Sequence, residues 1–298
     1  MTMMSTQYQV VYALNSRLSQ SLIKEYEKAW LSQAFFLLCL IFLTACTSVH
    51  ISSRYDALES ELTAQGLQAE VLTTNQFKLY LARPDIFNPI EEMNLIIEGD
   101  GLAWRNRYTL SDNPTPLEPT GLFIARQMKL RKPLPYFYLA RPCQYLNDQK
   151  CTPHYWSVLR YSPEVLESYM HALDQLKLRY GVKNFSILGF SGGAYIAFVL
   201  SSLRDDISNV TSVAGLMDPE SWNDFHDSSA FYLPFENDVL LKKTKHVSFT
   251  HICSDADNIL PCSLAQKFTA DAKVLGLTNH DIVILNGGYE HEDIWAGL

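Results

Sequence analysis

The chain has 298 residues, 47% hydrophobic and 19% charged, with 13 glycines and 13 prolines. This composition excludes a disordered chain, a collagen and a cysteine-dense mini-protein, while the length admits one large domain or two small ones. With 24 basic and 32 acidic residues, a net charge of −8 and no Lys/Arg block, it also excludes a nucleic-acid partner held by phosphate contacts.

The first feature in chain order is Ala34–Leu43, AFFLLCLIFL, ten apolar residues without interruption. A bilayer span needs about 20, but a run of this length suits a signal-peptide core. It lacks helical periodicity and stops at small residues, which argues against a buried helix. Lys28 lies upstream, and Leu43-Thr44-Ala45-Cys46 follows directly. Small residues before a cysteine, just after an apolar core, resemble the bacterial lipoprotein processing box. The resemblance implies cleavage before Cys46, lipidation of Cys46, and a periplasmic protein held at a membrane by its lipid. Thr47 in place of an aspartate favours the outer membrane. One departure stands out: the segment before the core is long and contains Glu25 and Glu27, which points to a start codon downstream of Met1. Residues 1–45 are therefore read as a signal peptide. They hold three basic residues (Arg17, Lys24, Lys28) and two acidic ones (Glu25, Glu27), so their removal leaves a net charge of −9. Residues 46–68 are polar and read as a tether, with one weakly amphipathic stretch at Tyr55–Leu62.

From residue 69, β-type runs recur. AEVLTT (69–74) and FKLYLARP (77–84), separated by Asn75-Gln76, predict a hairpin. Further strands are predicted at 93–101, 135–142, 184–190, 210–215, 247–253 and 281–288. Their near-continuous apolar runs suit a sheet covered on both faces. Ser162-Pro163 predicts a helix start, with the hydroxyl as cap. Val165, Tyr169, Ala172, Leu173, Leu176 and Tyr180 then share one face, and Gly181 supplies the stop. Two more helices are predicted at 194–203 and 263–275. Strand alternating with helix predicts an α/β fold: a mostly parallel twisted sheet, helices on both faces, and a leading antiparallel hairpin. One domain over 69–298 is the economical reading. The segment 216–245 breaks the alternation. Its Trp222, Phe225, Phe231, Tyr232 and Phe235 fit a lid or pocket wall as well as a packed helix pair.

Gly189-Phe190-Ser191-Gly192-Gly193 follows a predicted buried strand and opens a predicted helix. A turn this tight leaves no room for side chains at the glycines, and it presents the serine at the amino end of a helix. This G-x-S-x-G in strand–turn–helix context resembles the nucleophile elbow of the α/β-hydrolase superfamily, and the resemblance covers about residues 69–298. EGDGLAW, SDNPTP, YLARPCQY, CTPHYW, GFSGG and the terminal His291 with Trp295 look like a group of exported α/β-hydrolases of Gram-negative bacteria.

The resemblance implies Ser191 as nucleophile, followed in chain order by an acid and a histidine. His291, in the loop after the last predicted strand, is the implied base, with His226 in the insertion as its rival. For the acid, Asp257 in the run Asp257-Asn258-Ile259-Leu260-Pro261 is chosen over Asp255 and Asp218. The implied oxyanion donors are the backbone N–H groups of Gly192 and Asp100. Glu98-Gly99-Asp100 departs from the superfamily's usual His-Gly-x. Two carboxylates near an oxyanion need to be turned away or paired, by Arg105, Arg107 or Arg141. EGDG lacks the glycine spacing and the lysine of a phosphate loop, and no metal site or cofactor is expected. The implied activity is cleavage of a small-molecule carboxylic ester or thioester through an acyl-enzyme. A serine peptidase or amidase, or a non-enzymatic envelope lipoprotein keeping the fold, are the alternatives.

Besides Cys39 in the signal and Cys46, four cysteines remain. An even number in an exported chain predicts disulfides, with three possible connectivities. Cys143–Cys151 and Cys253–Cys262 are preferred because each closes a short loop.

Overall fold

The apolar runs become the strands of one sheet. In a computed structural model of the chain, residues 54–86, 89–131 and 134–298 are described. Ala34–Leu43 and Cys46 lie outside them. Residues 54–298 form one compact unit.

The main strands are β1 (Leu67–Thr73), β2 (Lys78–Pro84), β3 (Glu92–Ile97), β6 (Tyr136–Leu139), β7 (Asn184–Phe190), β8 (Ile207–Val213), β9 (Ser248–Ser254) and β10 (His280–Leu285). Between β3 and β6 a separate small hairpin pairs β4 (Trp104–Asn106) with β5 (Thr109–Leu110). The main sheet runs in the order β1-β2-β6-β3-β7-β8-β9-β10. β1 pairs antiparallel with β2 through Leu67↔Pro84 to Thr73↔Lys78, and β2 is antiparallel to β6. The remaining neighbours are parallel. From β3 the chain crosses to β6 on one side and then to β7 on the other. Loops leaving the carboxyl ends of β3 and β7 therefore diverge and open a crevice, the place where such sheets bind ligands.

The helices are α1 (54–65), α2 (Thr120–Arg131), α3 (Pro163–Tyr180), α4 (Gly192–Leu203), α5 (Pro219–His226), α6 (Asn237–Leu241) and α7 (Cys262–Val274). Successive residues of a strand point to opposite faces. In β3, Leu95 and Ile97 join the larger core with Phe137, Phe185 and Phe198, while Ile96 joins the core on the other face with Tyr138, Ile124 and Leu58. The predicted apolar stripe of α3 is buried, and Gly181 ends the helix at φ 66°. The hydroxyl of Ser162 does not cap it; Pro163 alone marks the start.

Three features correct the sequence reading. The tether does not extend to residue 68: residues 54–65 form α1, and β1 begins at Leu67. Leu58 and Leu62 of α1 are buried, Glu61 pairs with Arg126 at 2.5 Å, and Arg54 donates to the Thr115 carbonyl at 3.0 Å. The weak amphipathicity at Tyr55–Leu62 was thus the trace of a docked helix. α2 and the β4–β5 hairpin were not foreseen. α2 buries only its first half, around Thr120–Ala125, so no stripe runs along it.

Both preferred disulfides are formed, Cys143–Cys151 and Cys253–Cys262. Such bonds fit an extracellular or periplasmic protein. Among the described residues no helix is long and apolar enough to cross a membrane.

Candidate active site

β7 ends at Phe190 and α4 begins at Gly192, so Ser191 alone makes the turn. Its φ of 49° and ψ of −124° are strained for an L residue. The surroundings hold it there. The Ser191 N–H donates to the Val213 carbonyl at 3.1 Å, and the Ser191 carbonyl accepts from Ala194 and Leu216 N–H groups at 3.1 and 3.0 Å. A Cβ at Gly189 would lie 2.4 Å from the Ala194 Cα, and one at Gly193 would lie 2.4 Å from the Ile97 carbonyl. Only glycines let α4 approach β3 and β7 this closely, and the helix then aims its positive end at Ser191.

His291 sits in the loop after β10. Its Nε2 accepts from the Ser191 hydroxyl at 3.0 Å and its Nδ1–H donates to Asp257 Oδ2 at 2.8 Å. Asp257 sits in the loop after β9, its side chain fully buried. Its other oxygen accepts from the Ile259 and Leu260 N–H groups, both at 2.8 Å. Burial by itself would raise the Asp257 carboxyl, but the hydrogen bond and charge of His291 and these two N–H groups outweigh it. The carboxyl is held below its ordinary value. The Cys253–Cys262 bridge brackets this loop, and the Ser254 hydroxyl ties it to the Tyr289 carbonyl of the His291 loop at 2.5 Å.

The rivals are occupied elsewhere. Asp218 caps α5 through the Ser221 N–H at 3.2 Å. Asp255 accepts from Gly288 N–H at 3.4 Å. His226 Nε2 donates to the Ile259 carbonyl at 2.8 Å.

The two carboxylates after β3 have different environments. Asp100 is clamped between Arg141, at 2.7 Å, and Arg160, at 2.5 Å. Its burial raises the carboxyl, but the two guanidinium charges and their hydrogen bonds hold it below the usual range. Arg141 was among the partners foreseen; Arg160 was not, and Arg105 pairs with Asp112 instead. A Cβ at Gly192 would lie 2.4 Å from Asp100 Oδ1, and one at Gly99 would lie 3.1 Å from the Ser191 Cβ. The Gly99–Asp100 turn therefore rests directly on the Ser191–Gly192 turn. Glu98 is buried without a cation. It accepts from Gly99 N–H at 2.9 Å, from Gly121 N–H at the start of α2 at 3.0 Å, and from the Tyr138 hydroxyl at 3.0 Å. Burial pushes the Glu98 carboxyl up to about 7 in spite of these donors.

Ser191 and His291 form part of the floor of a cleft of about 270 Å³. Leu216, Trp222 and Phe231 of the 216–245 insertion line it, together with Trp104 and Pro116 from the region after β3. Part of the insertion thus lines the cleft, while Leu240 and Leu241 of α6 are buried in the core and Phe225 and Tyr232 are exposed. Among the described residues no group of three His, Cys, Asp or Glu side chains is placed to share a metal ion.

No protein-family model matches the sequence, and no curated protein does. Solved structures do match. The esterase Pf2001 of Pyrococcus furiosus superposes with a TM-score of 0.55 at 14% identity, over 78% of this chain and 85% of that one. Est1E of Butyrivibrio proteoclasticus, solved with ferulic acid bound, superposes with a TM-score of 0.55 at 13% identity, over 76% and 92%. The chain has the α/β-hydrolase fold.

Within the α/β-hydrolase fold, the elbow was legible because strand, glycines and helix are contiguous in sequence. The Ser191–His291–Asp257 chain was legible only through the resemblance, since its members lie 100 and 34 positions apart. Arg160, Tyr138 and Gly121 were missed. Each meets its carboxylate across the fold, and no local pattern announces the contact.

Proposed function

We propose that the protein is a serine hydrolase that cleaves a carboxylic ester or thioester. The hydrogen-bonded series from Ser191 through His291 to Asp257, on the floor of an open cleft, carries this reading. Ser191 Oγ attacks the substrate carbonyl carbon while His291 Nε2 takes its proton. The carbonyl π electrons move to oxygen, and the Gly192 and Asp100 N–H groups receive that charge. The intermediate collapses, the alcohol or thiol leaves with the proton from His291, and an acyl-Ser191 ester remains. Water, deprotonated by His291, then releases the acid and restores Ser191. Asp257 holds the imidazole in the tautomer that leaves Nε2 free and stabilises the imidazolium. The strained Ser191 backbone and the clamped Asp100 fix nucleophile and donors before substrate arrives.

The esterases of similar fold agree with an ester substrate. For location, the reading is a periplasmic lipoprotein anchored through Cys46, supported by the Leu43–Cys46 sequence and by two disulfides.

A fluorophosphonate probe is expected to label the wild-type chain at one site and to leave Ser191→Ala unlabelled. Equal labelling of the two proteins sinks the assignment of Ser191.

A further inference from the structure

One feature of the cleft takes no part in the proposed chemistry: its aromatic wall. Trp222, from α5, and Phe231, from the loop behind it, both line the cleft. Their ring centroids are 5.7 Å apart and their planes lie 24° from parallel. Both rings are held in place. The Trp222 Nε1–H donates to the Ile259 carbonyl at 2.8 Å. Phe231 meets the Tyr161 ring edge-on at 5.7 Å, and the Arg160 guanidinium lies 4.6 Å from its centroid. Arg160 is in turn fixed by Asp100 and by the Ser157 carbonyl. Trp104 of β4 adds a third ring to the lining.

Trp222 is stacked on the Phe231 ring and the Arg160 guanidinium lies over the Phe231 ring, so a ring in the cleft meets this wall edge-on or offset. Rings attract one another in offset or edge-on contact with centroids about 4.5–7 Å apart. A flexible alkyl chain gains less there, because it must be ordered against a rigid wall. Volume limits the size of the group. At about 270 Å³ the cleft lies at the small end of ligand sites, which run to about 300–1,000 Å³. A cleft of this size admits one ring or a short acyl chain, and the test sets these two against each other.

We propose that Trp222 and Phe231 form a ring subsite, so that the preferred ester carries a planar aromatic group packed edge-on or offset against this wall while its carbonyl lies at Ser191. This rests on the hydrolase reading above. The ring can belong to the acyl or to the alcohol part, and the experiment separates the two.

The test compares kcat/KM of the full chain for vinyl cinnamate against vinyl hexanoate, and for 2-phenylethyl acetate against hexyl acetate, with vinyl acetate as the ringless reference. In one pair the aromatic ester is expected to be preferred by about tenfold or more. The pair that shows it identifies which part carries the ring. Relative to vinyl acetate, Trp222→Ala is expected to lose that preference, mainly through KM. Trp222→Phe, which restores an aromatic ring at this position, is expected to keep most of it. Equal turnover within both pairs overturns the subsite, as does a preference that survives both Trp222→Ala and Phe231→Ala. If the wild type hydrolyses none of the five esters, the hydrolase reading fails by itself. The subsite is then judged by calorimetric binding of cinnamate: saturable binding that Trp222→Ala loses supports it, and no binding overturns it.

Discussion

Glu98 stands where the superfamily pattern has a histidine, and its environment gives it a measurable signature. Its carboxyl is raised to about 7, first by burial. Between its unfolded value, about 4.5, and 7 the folded state holds a proton that the unfolded state has released. Its contribution to stability is complete below about 4.5 and is lost as pH rises through 7. Glu98→Gln removes this titration while keeping an acceptor for Gly99 and Gly121. Urea midpoints across pH 4.5–7 are expected to fall with pH more steeply in the wild type than in Glu98→Gln. The difference is on the order of 3 kcal/mol at most. His251 and His280, pushed down to about 3 and 4 chiefly by burial, act in the opposite sense. They are present in both proteins and cancel in the comparison. Parallel curves would remove Glu98 from this account. The same residue shows a limit of reading by pattern. The sequence placed two carboxylates beside the oxyanion site and asked for arginines. Asp100 obtains two, whereas Glu98 obtains backbone N–H groups and a tyrosine, partners that no spacing in the sequence marks.

At the scale of elements, α1 and the loop after β9 carry the sharpest expectations. α1 was read as tether because it shows only a short, weak apolar stripe. Two residues are enough to dock it, since Leu58 and Leu62 enter a core already formed by α2 and the sheet. Leu58 is 2% exposed. Leu58→Ala is therefore expected to cost about 2–4 kcal/mol in chemical denaturation; a cost near zero would return residues 54–65 to the tether. The loop after β9 holds Asp257 inside the Cys253–Cys262 bridge, nine positions apart. Replacing both cysteines by serine is expected to lower stability by about 2–3 kcal/mol, as for any short closed loop. It is also expected to lower kcat more than it raises KM, because Asp257 then orients His291 less firmly. Unchanged kcat would limit the bridge to stability. The central strands β3, β6 and β7 were the most legible elements, since a strand buried on both faces announces itself by composition alone. α2 was the least legible, since its packing stops halfway along.

For the whole molecule, the expectation to test is its location. If Cys46 carries a lipid, metabolic labelling with a fatty acid is expected to mark the wild type and not Cys46→Ser, and the variant is expected to leave the membrane fraction. An unlabelled wild type removes the anchor. The charge of −8, the preferred short-loop cysteine pairs and the alternation of the main strands with α3, α4 and α7 were legible in the sequence, because each depends on composition or on neighbours along the chain. So was the elbow, whose strand, glycines and helix are contiguous. Tertiary structure alone decided that Arg160 joins Arg141 on Asp100, that Trp222 and Phe231 of the insertion reach the cleft, and that α1 belongs to the body. These are contacts between groups far apart in sequence. Their partners are chosen by the crossing of the chain at β3, which brings the loops together over one crevice.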